Sequence, residues 1–300
     1  MSEPLRATFF ALQKREGGVL LGATVCYLLM SAVLAAAVFV PMLSVFNLNF
    51  SGAAPSAAPD PTAALWMVPL GFVVAFLGCV LTASYEAACL RWMIRGEKPG
   101  LFGITINQDT WRVYGLYWIW LLFYGVAWIG YFIVNGLTSR LLAENLIASL
   151  AIACVYGLLV LIASAAFAPA AAVSIAQRRL VFGEAAQATE AHFGSLLGTY
   201  ALLFGLQFVL NSGWPAAWLL WKLKGDIGTY AERATDLTSA LLAYNEAMAA
   251  AIGVPGAVQE YWVISAAMFL LSIILMVLVY GANARVALLA QREGRLGAPA

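Results

Sequence analysis

Six long stretches of the 300-residue sequence consist almost entirely of apolar side chains and carry hardly any charge. A helix needs roughly 20 apolar residues to cross about 30 Å of hydrocarbon, since its backbone polar groups must all bond within the segment. All six stretches are long enough for this. The sequence therefore predicts an all-α, polytopic membrane bundle that forms one domain over residues 1–300. The six predicted transmembrane helices are about 17–46, 63–84, 113–139, 145–174, 193–221 and 261–284.

The composition argues against several classes of function. Hydrophobic residues make up 63% of the chain and charged residues 10%, with a formal net charge of +1. So balanced a charge does not attract nucleic acid, and a single histidine with four cysteines offers few ligands for a metal or a haem. The spans also lack the clustered ionisable groups that general acid–base catalysis needs. We therefore expect no enzymatic activity, no cofactor, no metal and no nucleic-acid partner.

The basic residues alternate along the chain in a way that predicts orientation. Lysine and arginine concentrate in the loops on the cytoplasmic side of a membrane. Of the 16 basic residues, 12 fall in one set of flanks and 4 in the opposite set. The larger set is Arg6, Lys14, Arg15, Arg91, Arg95, Lys98, Arg112, Arg178, Arg179, Arg285, Arg292 and Arg295, and the smaller set is Arg140, Lys222, Lys224 and Arg233. Both termini are therefore predicted to be cytoplasmic, and residues 222–260 form a long segment on the other side, called the outer segment below.

Two stretches of the sequence are similar to each other and carry a family resemblance. Each contains the end of a span, a basic cluster, a Gly-Glu pair (Gly96-Glu97 or Gly183-Glu184) and an aromatic residue before the next span. This organisation across about residues 1–295, with the segments RWMIRGEKPG and QRRLVFGEA, resembles a group of six-span bacterial proteins that look like the membrane domain of glycerophosphoryl diester phosphodiesterases. The resemblance implies a helical bundle with short cytoplasmic interfacial helices that accompanies other membrane components. No hydrolase domain is recognisable in these residues, so the resemblance implies no catalytic residue.

A basic cluster beside the second and third spans is a candidate site for lipid headgroups. Arg91, Arg95, Lys98 and Arg112 all lie close to the ends of these spans. Each juxtamembrane lysine or arginine contributes on the order of 1 kcal/mol to attraction by anionic headgroups. We therefore expect this loop to fold onto the membrane surface as an interfacial helix and to bind phospholipid.

The fifth span contains two amide side chains that are predicted to lie within the membrane. Gln207 and Asn211 are four residues apart and so share one helix face, which Tyr200 and Trp214 extend in both directions. Polar groups at membrane depth are costly and often functional, so this stripe suits a path for an amphiphilic substrate. Hydrogen bonding between helices that holds the bundle together is the simpler explanation, and it is the one we favour.

A carboxyl group, Glu86, is also placed near the cytoplasmic end of the second span. A proton relay would need more than one acid at this depth. An ion pair with Arg91, or with a basic group of another loop, is the simpler expectation.

The outer segment contains the most regular pattern of the sequence. Apolar residues recur at spacings of four and three over about 229–251, which predicts one amphipathic helix with a narrow apolar seam. The candidate contact residues are Tyr230, Leu237, Leu241, Tyr244 and Met248. The opposite face is slightly acidic, unlike the basic faces of helices that lie on anionic lipid. We therefore expect the seam to contact protein.

Together these features predict a non-catalytic accessory or scaffold protein that binds other membrane proteins, associates with itself, or organises lipid. The alternative is a small transporter or flippase for an amphiphilic or lipid substrate, which would act through the polar stripe and the aromatic third span. A continuous polar cavity that reaches the midplane of the membrane would favour the alternative.

Reporter fusions test the predicted topology. Fusions after Lys98 and after Arg179 should report the cytoplasm, because these loops carry most of the basic residues. Fusions after Pro55 and after Ala240 should report the opposite side. A cytoplasmic signal from the fusion after Ala240 would contradict the six-span arrangement.

Overall fold

The computed structural model describes residues 18–45, 61–97, 104–141, 146–223, 227–232 and 237–296. Helices account for nearly all of these residues, and no β-strand occurs among them. The α-helices are, in order, α1 (Gly18–Val45), α2 (Pro61–Arg95), α3 (Gln108–Leu141), α4 (Leu146–Phe167), α5 (Ala170–Gln177), α6 (Gly183–Thr189), α7 (Phe193–Phe208), α8 (Trp214–Leu223), α9 (Ile227–Ala231), α10 (Leu237–Ile252) and α11 (Ala257–Arg292). A 3-10 turn (Glu190–His192) precedes α7, and a π-helical turn (Val209–Gly213) joins α7 to α8.

Six helical stretches among the described residues are long and apolar enough to cross a membrane. They are α1, α2, α3, α4 with α5, α6 through α8, and α11. In the most apolar part of any of these stretches, at most 22% of the residues are buried in the chain itself. Such extensive exposed apolar surface is stable only in contact with lipid. The predicted six-span helical bundle is confirmed, and the chain is a multi-pass membrane protein.

The aromatic residues of the third span belong to this exposed surface. Trp118, Trp128 and Phe132 of α3 are all more than half exposed. These three rings are therefore not enclosed by the described part of the chain. Trp120 is an exception, because its ring packs edge-on against Phe182 at a centroid distance of 5.7 Å.

The chain divides into two units, which are described separately. Unit 1 comprises Met1–Trp120, Ala166–Thr199 and Met276–Ala300, and unit 2 comprises Leu121–Ala165 and Tyr200–Leu275. All 12 basic residues of the larger predicted set belong to unit 1, and the other 4 belong to unit 2. The division into units therefore follows the charge alternation of the sequence.

The second half of α2 lies at the centre of unit 1. Nearly every side chain from 80 to 93 is buried, so α2 continues as a helix well beyond the predicted end of its span at residue 84. It packs against α1 and against α5, and all eight residues of α5 are buried. Tyr27 of α1 stacks on Tyr85 with a centroid distance of 4.6 Å. Alanines such as Ala87 and Ala172, both fully buried, let the backbones approach closely.

The two Gly-Glu pairs occupy different structural positions. Gly96 follows the end of α2 with φ +71°, the left-handed conformation that commonly ends a helix. Gly183 is instead the first residue of α6. The left-handed residue after α5 is Arg178, with φ 56°, and the next turn is held by Ser174, which bonds both backbone groups of Val181 at 2.9 Å. The pairs are therefore not structurally equivalent, although each stands close to a helix end.

The interfacial helix expected between the second and third spans does not form in the described part of that loop. Residues 96–97 and 104–107 are not helical, and 98–103 lie outside the described residues. A short helix, α6, does follow the fourth span. The basic residues expected on an interfacial helix, Arg91 and Arg95, belong instead to the last turns of α2.

The apolar core of unit 2 includes part of the outer segment. Trp218 and Leu219 of α8 pack with Ala247 and Ala251 of α10, and Tyr261 packs against this cluster. The outer segment was predicted to form one helix over about 229–251. It contains two helices, α9 and α10, and the sequence between them includes Thr235 and Asp236, residue types that favour helix starts over helix interiors.

In unit 2, α3 and α4 approach each other through a glycine. The Tyr156 hydroxyl donates a hydrogen bond of 2.6 Å to the carbonyl oxygen of Ala127. A Cβ added at Gly130 would lie 2.6 Å from that hydroxyl oxygen, closer than real Cβ contacts. Tyr156 therefore reaches the backbone of α3 only because residue 130 has no side chain.

Gly130→Ala should lower the melting temperature of the detergent-purified protein, because overpacking of this kind typically costs about 1–3 kcal/mol. Gly125→Ala is the matched control, since a Cβ there meets no atom within 4 Å. Alanine is the better helix former, so the control should be neutral or stabilising by up to about 1 kcal/mol. Adding Tyr156→Phe to Gly130→Ala should recover part of the loss, and no recovery would contradict the proposed contact.

Candidate functional site

The carboxylate of Asp109, in the first turn of α3, connects two arginines of unit 1. It accepts hydrogen bonds from Arg95 Nη1 at 2.9 Å and from Arg112 Nη1. Arg95 Nη2 also donates to the carbonyl oxygen of Ile175, in the last turn of α5. The first turn of a helix is itself favourable for a carboxylate, because its free N–H groups carry partial positive charge. Arg95 and Asp109 therefore link the end of α2, the start of α3 and the end of α5.

The start of α3 is fixed by a reciprocal cap. Asn107 Oδ1 accepts from the backbone N–H of Thr110 at 3.1 Å, and Thr110 Oγ1 accepts from the N–H of Asn107 at 3.3 Å. This is the geometry of a capping box, which satisfies two N–H groups that the helix itself leaves free. Thr110 also donates to the carbonyl oxygen of Thr105 at 3.0 Å. The cap therefore holds Thr105 in place beside α2.

Arg91 has a different environment from Arg95. It is only 6% exposed, and its Nη2 donates to the hydroxyl of Thr105 at 2.9 Å. It forms no ion pair with any described residue. Of the four residues proposed as a headgroup site, Arg95 and Arg112 are therefore engaged by Asp109, Arg91 is buried next to Thr105, and Lys98 lies outside the described residues.

Glu86 is buried and is not paired with Arg91. Its Oε2 accepts a hydrogen bond of 2.6 Å from the Tyr117 hydroxyl of α3. Tyr117 also interacts with Tyr280 of α11, and both groups are within unit 1. The expectation that a basic group would neutralise Glu86 was wrong, because a phenol on a neighbouring helix serves as its donor.

Further hydroxyl groups surround this carboxyl. Tyr85, next to Glu86 in the sequence, exchanges a hydrogen bond of 2.8 Å with Thr24 of α1. Its ring packs edge-on against Tyr280 at 6.4 Å. No pattern in the sequence predicts this cluster, because tyrosines near span ends are ordinary members of the interfacial belt. Only the packing of α1, α3 and α11 on α2 brings them together.

The polar stripe proposed for the fifth span does not form one surface. Gln207 donates a hydrogen bond of 2.9 Å to Ser272 of α11, which is an interhelical hydrogen bond of the kind described above. Asn211 lies in the π-helical turn and is exposed, whereas Tyr200 is buried. Because a π turn holds about one extra residue, it rotates Trp214 by roughly 100° relative to a continuous α-helix. Trp214 packs against Tyr261 at 4.9 Å.

The proposed contact residues of the outer segment are divided between two environments. Tyr230 and Met248 pack against the apolar cluster of unit 2, so they contact the chain itself. Tyr244 is 39% exposed. Leu237 and Leu241 belong to α10, but their side chains lie outside the described residues. The buried face of α10 consists of Ala243, Ala247 and Ala251, which the spacing of larger residues did not predict.

Two further arginines join short segments of unit 1. Arg179 donates to both oxygens of Glu184, at 2.7 and 2.9 Å, across the α5–α6 turn. Arg295 donates to the carbonyl oxygens of Gln187 and Ala188, at 3.0 and 2.9 Å. Hydrogen bonds from Arg295 and from His192 lower the pKa of Glu293 below its usual value. These contacts attach the end of α11 to α6.

Comparison with known proteins finds no family model, no curated protein and no solved structure that matches the chain.

Asp109→Asn should be strongly destabilising, because it leaves the largely buried guanidinium of Arg95 with only the half-exposed carboxylate of Glu97, at 3.5 Å, as a counter-charge. Breaking a buried ion pair from one side costs about 3 kcal/mol, whereas an exposed pair contributes up to about 1 kcal/mol. Glu184→Gln is the matched control, since its partner Arg179 is half exposed. Thermal unfolding in detergent measures both, and equal losses would contradict the central role of Asp109.

Proposed function

We propose that this protein is a non-catalytic accessory or scaffold protein of the membrane, which binds another membrane protein through its outer segment. The observation that carries the proposal is the exposed face of α10. This helix lies outside all six membrane-crossing stretches, yet it presents apolar side chains that are not packed against the chain.

The exposed apolar residues of α10 form a regular seam. Leu242, Asn245, Ala249 and Ile252 are all exposed and recur at spacings of three, four and three. On a helix these positions share one side, opposite the buried alanines of α10. Leu242 is 59% and Ile252 41% exposed. An apolar seam with one amide is the pattern by which a helix pairs with another helix, so this side suits a helical partner.

The charge of the outer segment favours protein over lipid as its partner. Residues 222–260 contain Lys222, Lys224 and Arg233 but five acidic residues, namely Asp226, Glu232, Asp236, Glu246 and Glu260. Helices that lie on anionic membranes are instead rich in lysine and arginine. Lys222 is also engaged within unit 2, where its Nζ lies 2.6 Å from Glu260 and above the ring of Trp221.

The polar groups of unit 1 support a structural role. Its buried carboxylates, Glu86 and Asp109, each accept hydrogen bonds from side chains of the same unit. An acid–base or nucleophilic site needs ionisable groups directed at a substrate, whereas these groups connect helices. Catalysis therefore has no part in the proposal.

We also propose that both termini are cytoplasmic and that the membrane is the inner membrane of a bacterium. The support is that unit 1, with both chain ends, contains 12 of the 16 basic residues. The resemblance to the membrane domain of glycerophosphoryl diester phosphodiesterases is part of the same proposal and rests on the sequence segments alone. It favours a role alongside other components of the membrane, lipids included.

Affinity purification in mild detergent, followed by protein and lipid mass spectrometry and native gels, tests the proposed function. Leu242→Glu should remove the partner protein. Its free energy of unfolding should stay within about 0.5 kcal/mol of that of the wild type, as for other surface substitutions. Ala250→Glu is the matched control, because residue 250 is exposed on the same helix but lies off the seam. The control should retain the partner.

Three outcomes discriminate between the possibilities. Loss of a higher-order band without loss of any second protein would identify the partner as another copy of this chain. A melting temperature lowered by Leu242→Glu would show that the seam packs within the protein. Equal partner binding by wild type and both variants would overturn the proposed interface.

A further inference from the structure

Arg91 is a buried residue that forms no ion pair with any described residue. The residue is 6% exposed and stands between the buried Leu90 and Trp92 on α2. Arginine has five N–H donors and stays charged in proteins. Among the described residues its one hydrogen-bond partner is the neutral hydroxyl of Thr105, at 2.9 Å. A buried charge is normally paired, because leaving water costs it a large solvation energy.

The neighbouring carboxylates are committed to other arginines. Asp109 uses one oxygen for Arg95 and the other for Arg112. Glu97 is half exposed and lies 3.5 Å from Arg95. Among the described residues of this part of unit 1, three guanidiniums therefore share two carboxylates. Asp109 and Glu97 also act electrostatically on Arg91, but neither forms an ion pair with it.

The remaining donors of Arg91 are open to a ligand. None of its nitrogens is among the polar atoms that are both sealed from solvent and without a partner in the described residues. Thr105 above it is exposed, and its hydroxyl accepts from Arg91 and keeps its own hydrogen for another acceptor. Its carbonyl is already bonded by Thr110, so its position is fixed. Arg91 and Thr105 together offer donors to one anion.

We propose that Arg91 and Thr105 form a binding site for a phosphate group, supplied either by the headgroup of an anionic phospholipid or by free phosphate. Guanidinium groups match the geometry of phosphate oxygens through paired N–H donors, and such charge-assisted bonds are the strong ones. The site stands near the charged end of a membrane-crossing helix, where headgroups lie. The inference deepens the lipid-organising part of the proposed function and rests on it, while protein binding by α10 is independent of it.

The test compares wild type with Arg91→Gln and Arg91→Lys in full-length, detergent-purified protein. Arg179→Gln is the matched control, because Arg179 belongs to the same unit and forms an exposed ion pair. Each protein is delipidated, then titrated with phosphatidylglycerol in mixed micelles, with phosphatidylcholine, and with inorganic phosphate, while its melting temperature and bound phosphorus are measured.

Phosphatidylglycerol should raise the melting temperature of wild type and of Arg179→Gln, and phosphatidylcholine should not. Arg91→Gln should bind the anionic lipid at least about ten-fold more weakly, since it loses a charge-assisted bond, and Arg91→Lys should fall between them. Without lipid, Arg91→Gln should be as stable as wild type or more stable, because the uncompensated charge is gone.

Each alternative has its own signature. Inorganic phosphate raises the melting temperature of the wild type as much as phosphatidylglycerol does if free phosphate is the ligand, and Arg91→Gln then removes this effect. If Arg91→Gln lowers the melting temperature both with and without lipid, and phosphatidylglycerol still raises it as much as in the wild type, then Arg91 has only a structural role. This result would overturn the proposed site. Thr105→Val, at an exposed position, repeats the test if Arg91→Gln fails to fold, and unchanged binding by it would also count against the site. Native gels of the same samples report the protein partner separately, so its loss or retention is not confused with loss of phosphate.

Discussion

Arg95 and Asp109 meet where the long helix α2 ends and the long helix α3 begins. Neither group tolerates burial alone, since an unpaired charge in this environment costs several kcal/mol. Arg95 also donates to the carbonyl oxygen of Ile175 in the last turn of α5, which the N–H of Arg178 bonds as well. The positions of three helix ends are thereby coupled. The reciprocal cap of Asn107 and Thr110 adds to this coupling, because it fixes the turn that contains Asp109.

Away from the helix ends of unit 1, tyrosine hydroxyls and small residues hold the helices together, as arginine does at the helix ends. Glu86 is satisfied by Tyr117, and Tyr85 is satisfied by Thr24. Alanines on α2 and α5 allow the close approach that such short hydrogen bonds require. Helices in lipid gain little from hydrophobic association, so packing of small residues and interhelical hydrogen bonds have to specify the arrangement. The hydrogen bonds of Glu86 and Tyr85 therefore connect helices of unit 1.

The spans could be predicted from the sequence because the bilayer imposes a local rule. Roughly 20 apolar residues in a row have few alternatives to a crossing helix. The same rule ended the second span too early, at residue 84, because burial by α1 and α5 keeps α2 helical through its polar end. Pairings between distant residues had no local signal. Tertiary packing fixes the contacts of Arg95 with Asp109 and of Glu86 with Tyr117. We expected Arg91 to pair with Glu86 only because the two residues are close in the sequence. The seam of the outer segment was predicted only in part: Met248 packs on the apolar cluster of unit 2, but the buried face of α10 also includes Ala243 and Ala247, which the seam did not contain.

Arg91 and Arg95 show how far residue type alone leaves function open. They are one turn apart near the end of α2 and carry the same type of side chain. Arg95 finds a carboxylate and a carbonyl within the chain, and its charge is consumed in holding helices together. Arg91 finds one neutral hydroxyl, and the acidic groups around it already serve other arginines. Desolvation of an unpaired guanidinium opposes folding, so an anion bound at Arg91 would stabilise the protein. The imbalance around Arg91 is therefore better evidence for a ligand than the basic cluster from which the headgroup site was first inferred.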